Sequence, residues 1–290
     1  MLHGRGWTVD VLSRGYGRKT KKVERVNPLA SDGAARYGDE PVLIARLAGV
    51  PVWVGAERFG AGMAAECFLM GERKADSSAA LRNDMGGALR NDKQKGVHLL
   101  DDGFQHRQLG RAMDVVLVTA DDLEDALLPA GNLRESFSAL RRADVVVVRE
   151  DERDRVEPGL RGLLRRDALL WTVRRRLCPP ASDGVRWMAF CAIARPEGFR
   201  AMLDEAGYGV MEMISFPDHH AYGMDDIERL MESARRVQTA GFVATEKDQV
   251  KLSTPMIDRL LTIGPVVFAR LEVTFLEEER VVRELEAGIR

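Results

Sequence analysis

Short apolar runs rich in valine and isoleucine recur along this chain, and few of them alternate with polar residues. They cover residues 8–12, 51–54, 97–100, 114–118, 144–148, 187–193, 210–216, 242–244 and 266–273. A strand written as a continuous apolar run is one buried on both faces. Helix-like stretches such as 225–239 lie between the runs. That alternation predicts an α/β fold with a mainly parallel sheet flanked by helices. The Arg-rich stretch 151–177 reads as an amphipathic helix, with lying on an anionic membrane surface as the alternative. It also marks the expected boundary between a first α/β domain, 1–170, and a smaller second one, 171–290.

Composition excludes several classes. A net charge of -2 gives no field that recommends nucleic acid as a partner. Cys67, Cys178 and Cys191 are far apart and form no CxxC pair, so neither a zinc site nor a disulfide framework is indicated. No apolar run reaches the length of a membrane span, and no signal peptide is visible. The expected compartment is a reducing cytoplasm, with no obligate protein partner. Residues 2–7 read like a helix end with its glycine cap, so the chain is expected to begin inside a βαβ unit. A polar insertion at 76–96 carries a short echo, Ala-Leu-Arg-Asn-Asp at 80–84 and again at 88–92, and reads as a duplicated surface loop.

Chemistry concentrates where the apolar runs end, which in open parallel sheets is where ligands bind. Leu99-Leu100-Asp101-Asp102-Gly103-Phe104-Gln105-His106 closes a run with two adjacent carboxylates. That pair suits Mg²⁺, and it also reads as an Asp-Gly turn. Ser13-Arg14-Gly15-Tyr16-Gly17 follows the first run, with glycines for close backbone approach and an arginine able to clamp phosphate, and it reads equally as a plain turn. Tyr37-Gly38-Asp39-Glu40-Pro41 opens a helix, where acidic side chains serve as caps or as base and metal ligand. Leu128-Pro129-Ala130-Gly131-Asn132-Leu133-Arg134-Glu135 is a stiff loop presenting a cation and a carboxylate. Phe216-Pro217-Asp218-His219-His220 offers an imidazole that could orient a distant carboxylate. Thr245-Glu246-Lys247-Asp248 is either a helix cap or a nucleotide contact.

In this order and spacing the six clusters resemble the tetraacyldisaccharide 4'-kinases, the lipid A 4'-kinases of Gram-negative bacteria. The resemblance implies a P-loop NTPase-like α/β kinase with a second, smaller α/β domain joined through hinge strands, here 171–175 and 268–275. It implies ATP and Mg²⁺ as cofactors and a lipid A disaccharide precursor as acceptor. The place implied is the cytoplasmic face of the inner membrane, as a peripheral protein. Carried over by position, Asp39 is the base and His219 its dyad partner. Asp101, Asp102, Glu40 and Glu135 are the metal-side carboxylates. Ser13, Arg14, Gly15, Arg134, Thr245, Lys247 and Asp248 are the nucleotide-side residues. The family's glycine-rich loop of the Gly-x-x-x-x-Gly-Lys-Ser/Thr kind does not occur in these 290 residues. Without that cradle the phosphates lack backbone donors, so phosphate binding and Mg²⁺ placement are expected to fail in these 290 residues, which read as starting too far downstream or, as the alternative, as a truncated copy. An inactive lipid- or nucleotide-binding remnant and a Mg²⁺-dependent phosphohydrolase are the alternatives.

Overall fold

The computed structural model describes all residues except 19, 31, 77–94, 179–183 and 290. The repeat read at 80–84 and 88–92 therefore lies outside the described residues. The strands are β1 (Trp7–Ser13), β2 (Glu24–Arg25), β3 (Val52–Val54), β4 (Lys95–Leu100), β5 (Val115–Val118), β6 (Val145–Arg149), β7 (Leu169–Leu177), β8 (Arg186–Cys191), β9 (Gly209–Ser215), β10 (Gly241–Thr245), β11 (Val266–Ala269) and β12 (Leu271–Phe275). The helices are α1 (Gly33–Tyr37), α2 (Asp39–Ala48), α3 (Arg58–Asp76), α4 (Ala120–Glu124), α5 (Arg153–Leu160), α6 (Pro196–Glu205), α7 (Met224–Arg236), α8 (Glu246–Gln249), α9 (Thr254–Leu261) and α10 (Glu278–Gly288).

Two compact units divide the chain. One joins Leu2–Asp101 to Leu177–Leu271; the other joins Asp102–Arg176 to Glu272–Arg290, together with Met1. The passages at Asp101/Asp102 and Leu271/Glu272 have no compositional mark.

The larger unit holds two four-stranded sheets, ordered β2-β3-β1-β4 and β11-β10-β8-β9. β1 runs parallel to both β3 and β4, with Leu12 opposite Trp53 and Leu100, and only the short β2 is antiparallel. In the second sheet β8 is parallel to β9 and β10, and β10 to β11. Two-sided burial follows the pleat. Met188 and Phe190 of β8 join Ile227, Leu230 and Met231 of α7, while Trp187, Ala189 and Cys191 join Phe199 and Leu203 of α6. Full burial of a side chain of this size is worth roughly 1.5–3 kcal/mol, so α6 and α7 clamp β8 from opposite faces.

In the other unit the sheet order is β12-β7-β6-β5, with β5, β6 and β7 parallel. Val146 and Val148 face Val156 and Leu160 of α5, and Val145 and Val147 face Trp171 and Val281 of α10. The stretch 151–177 is not one amphipathic helix. α5 stops at Leu160 just after Pro158-Gly159, and residues 169–177 form β7, in which Trp171, Val173 and Leu177 are buried while Arg175 and Arg176 are exposed. Arg161 pairs with Glu157 at 3.6 Å and Arg165 with Asp144 at 2.7 Å. Those cations serve neighbouring carboxylates. The apolar run 266–273 is likewise two strands, divided at Arg270.

A polar cluster sits on the first sheet. Asp10 of β1 is buried, and its carboxylate meets His98 Nδ1 of β4 at 2.7 Å; Glu66 of α3 meets Nε2 at 2.9 Å. The hydrogen bond to Asp10 leads in raising the His98 pKa from 6.5 to about 9, against burial, which lowers it. A folded pKa raised this way adds stability in full below pH 6.5 and loses it as pH rises through 9. Thermal melts of the wild-type chain are therefore expected to fall between those pH values. In His98→Gln that part of the slope disappears. An unchanged slope in the variant would show that the cluster does not carry it.

Candidate functional site

Parallel pairing sets the first contact of the site. Leu12 of β1 lies opposite Leu100 of β4, so Ser13 and Asp101 leave the sheet side by side. Ser13 Oγ donates to Asp101 Oδ2 at 2.7 Å and accepts from Gly15 N–H at 3.4 Å. Arg58, buried at the start of α3, donates to the Asp101 carbonyl at 2.8 Å. The turn after Ser13 requires its glycine. Gly15 has φ +68°, and a Cβ there would stand 2.5 Å from the Tyr37 carbonyl oxygen. Gly38 has φ +94°, and a Cβ there would stand 3.0 Å from the Tyr16 carbonyl oxygen and 3.3 Å from the Gly15 backbone. The two loops read separately from sequence thus interlock backbone to backbone.

Gly38 is the N-cap of α2, and it places Asp39 and Glu40 in the first turn, where the helix dipole favours carboxylates. Asp39 is only 9% exposed. Its Oδ1 accepts from the Glu40 N–H at 3.0 Å, and its Oδ2 lies 3.1 Å from His219 Nδ1. The two residues are 180 positions apart in sequence. His219 sits in the loop after β9 with φ +60°, a conformation uncommon for a residue with a side chain. Asp218 holds that turn by accepting from the His219 N–H at 2.9 Å, and the Tyr16 ring lies 5.7 Å from the imidazole. Strained backbone of this kind collects at functional sites.

Beyond β10, Thr245 and Asp248 form a reciprocal capping box on α8. Asp248 is 0% exposed, and both its oxygens are occupied. Oδ1 accepts from Ala192 N–H at 2.9 Å and from Tyr222 Oη at 2.9 Å; Oδ2 accepts from Thr245 Oγ1 at 2.6 Å. The Asp248 carboxylate thus faces protein donors. Lys247 Nζ meets Glu40 at 3.2 Å and Asp218 at 3.5 Å. Burial lowers its pKa, but Glu40, Asp39 and Asp218 outweigh burial, and the net shift is upward. The sequence reading passed over Lys251, one turn after Lys247. Its side chain is 6% exposed, and Nζ lies 3.7 Å from Asp39 Oδ2.

In the smaller unit, Arg134 meets Asp102 Oδ2 and Gln105 Oε1 at 3.4 Å each, all largely exposed. Asp102 has φ +53°. Glu135 is held by Arg107 at 3.1 Å and Arg142 at 2.9 Å. Of the residues named from sequence, one unit therefore gathers Ser13, Gly15, Asp39, Glu40, Asp101, His219, Thr245, Lys247 and Asp248, with Arg14 exposed on the same loop. The other gathers Asp102, Arg134 and Glu135.

Among the described residues no three His, Cys, Asp or Glu side chains converge as a complete metal cage. Magnesium does not need one: it commonly takes one or two carboxylates and completes its shell with substrate phosphates and water. Asp101, an oxygen donor hydrogen-bonded to a serine hydroxyl, fits that demand. Glu40 and Glu135 are already engaged by Lys247 and by the two arginines.

The model of the family described as tetraacyldisaccharide-1-P 4'-kinase matches residues 1–290. The chain belongs to that family. A tetraacyldisaccharide 4'-kinase of Koribacter versatilis is 34% identical over 286 residues, 95% of this chain and 77% of its own length. One from Geobacter metallireducens is 36% identical over 295 residues, 96% of this chain and 78% of its own length. Among solved structures, the "apo" form of LpxK from Aquifex aeolicus, in complex with ATP, superposes with a TM-score of 0.63. It is 26% identical, and the match covers 97% of this chain and 79% of that one. The α/β architecture expected from the apolar runs is thus that of a kinase family.

Proposed function

We propose that this chain transfers the γ-phosphoryl group of ATP to the 4'-hydroxyl of a tetraacylated glucosamine disaccharide 1-phosphate, a step of lipid A biosynthesis. The observation that carries the reading is the Asp39–His219 contact inside a chain that matches the kinase family throughout. In phosphoryl transfer the protein's work is positioning and electrostatic stabilisation. Asp39 is the base that takes the acceptor hydroxyl proton on Oδ2, and His219 holds that carboxylate in place. Asp101, beside Ser13, would hold Mg²⁺, which supplies charge neutralisation on the nucleotide phosphates. Arg14 and the Gly15 turn offer donors to the nucleotide, as do Thr245 and Lys247. A lipid acceptor places the working enzyme at the cytoplasmic face of the inner membrane as a peripheral protein. Among the described residues no helix is long and apolar enough to cross a membrane.

The test is direct. The chain is incubated with γ-labelled ATP, Mg²⁺ and the disaccharide 1-phosphate in detergent micelles. Label is expected on the lipid. Release of phosphate from phosphomonoesters without ATP, and no labelled lipid, would reject the kinase in favour of a phosphohydrolase. In the same assay Asp101→Asn is expected to raise the Mg²⁺ concentration needed for half-maximal rate. A wild-type titration curve for that variant would remove Asp101 from the metal account.

A further inference from the structure

Lys251 lies outside every motif read from the sequence, yet its ammonium is among the most enclosed charges near Asp39. The side chain is 6% exposed. Nζ donates to the Ala192 carbonyl at 3.0 Å and faces Asp39 Oδ2 at 3.7 Å and Asp248 Oδ1 at 3.8 Å. A buried cation is kept only where its partners offset the loss of water. Those two carboxylates differ in what else they have. Asp248 already accepts from Ala192 N–H, Tyr222 Oη and Thr245 Oγ1, so the ammonium adds little to its orientation. Asp39 Oδ1 is tied to the Glu40 N–H, and among the described residues its Oδ2 meets His219 Nδ1 at 3.1 Å and Lys251 Nζ at 3.7 Å. His219 stands on a loop backbone at φ +60°, while Lys251 is held from the end of β8 by the Ala192 carbonyl.

We propose that Lys251 is a positioning residue for the phosphoryl transfer: it fixes the Asp39 carboxylate, through Oδ2, in the orientation that meets His219. The proposal rests on the reading of Asp39 and His219 given above. Lys247 and Lys251 then divide the work. Lys247 engages Glu40 and Asp218 at the more open side, and Lys251 engages Asp39 from the buried side. The competing role for Lys251 is purely structural, as counter-charge to Asp248.

Two readouts on the full chain separate these roles. The first is the histidine ring nitrogen spectrum of ¹⁵N-histidine-labelled protein, with His219 assigned through His219→Gln. Asp39→Asn is expected to move the His219 ring signals. Lys251→Met is expected to move them the same way, and Lys251→Arg to leave them near wild type. The second is steady-state kinetics. Lys251→Met is expected to lower kcat roughly tenfold to a hundredfold, the range in which small misplacements act, with KM for ATP changed less than about threefold. Lys251→Arg recovers most of that rate. Should Lys251→Met fail to fold, the double variant Asp248→Asn/Lys251→Met removes both buried charges together. That variant is expected to fold and still show displaced His219 signals.

Ring signals and kcat that stay at wild type in a folded Lys251 variant overturn this proposal alone. If Asp39→Asn itself leaves the His219 signals in place, or the wild-type chain transfers no phosphate, the functional reading falls and this proposal falls with it.

Discussion

Asp39→Ala is expected to lower kcat by roughly 10²–10⁴-fold, the usual contribution of a positioned general base. KM for ATP should change little. The asymmetry follows from where Asp39 sits. It opens α2, its Oδ1 is satisfied by the first-turn amide, and its Oδ2 is left to His219 and Lys251. None of these contacts is required to hold a nucleotide, so binding is spared while proton removal is lost. His219→Ala should lose less than Asp39→Ala, because it takes away the group that holds the carboxylate and leaves the base itself. Steady-state kinetics with varied ATP at saturating lipid measure both. A loss confined to KM would move Asp39 from base to nucleotide contact. Equal kcat in wild type and both variants would return the pair to a helix cap with a neighbouring imidazole.

The second large effect is on stability. Asp248→Ala strands the N–H of Ala192 and the hydroxyls of Tyr222 and Thr245, and it takes one of two carboxylates from a buried lysine. Removing one member of a buried, hydrogen-bonded charge cluster typically costs about 3–5 kcal/mol. At about 2–4 °C per kcal/mol for chains of this order of size, the melting temperature should drop by roughly 10 °C. The burial that satisfies Asp248 also pushes the Tyr222 hydroxyl pKa well upward, desolvation leading and the Asp248 charge adding to it. Tyr222 therefore stays a neutral donor throughout the accessible pH range. Calorimetry on wild type, Asp248→Ala and Tyr222→Phe would measure the network. A melting point within a degree or so of wild type for Asp248→Ala would mean that the site refills with water at small cost.

How far the fold was legible depended on how much of each element its own residues specify. β6, written Val145-Val146-Val147-Val148, could hardly be anything else once both faces are covered. β7 was obscured because its second half carries three consecutive arginines, Arg174, Arg175 and Arg176, which break the apolar run that marks the other buried strands. β2 has two residues and exists only because β3 offers an edge. In the site, clusters with unusual residue types were readable, since glycine, proline and adjacent carboxylates punctuate a chain. Their partners were less so. The Asp39–His219 contact came from family resemblance, because no spacing rule links residues 180 apart. Lys251 looked like an ordinary lysine after a short helix. Asp248 looked like a cap, and it is one, but its complete burial comes from Tyr222 and Ala192, which no local pattern connects to it.

The order in which the chain visits its two units bears on how the protein could be taken apart. Trp171 of β7 packs against Phe275 and donates its indole N–H to Glu284 of α10 at 2.7 Å, and Val281 of the same helix closes the core over Val145 and Val147. A gene cut after residue 176 would express β5, β6 and β7 with their lid left on the other fragment. To obtain that unit alone, the coding sequence would have to be rewired, with 102–176 spliced directly to 272–290. The same splice frees the remainder, 2–101 followed by 177–271, to be made as a single polypeptide.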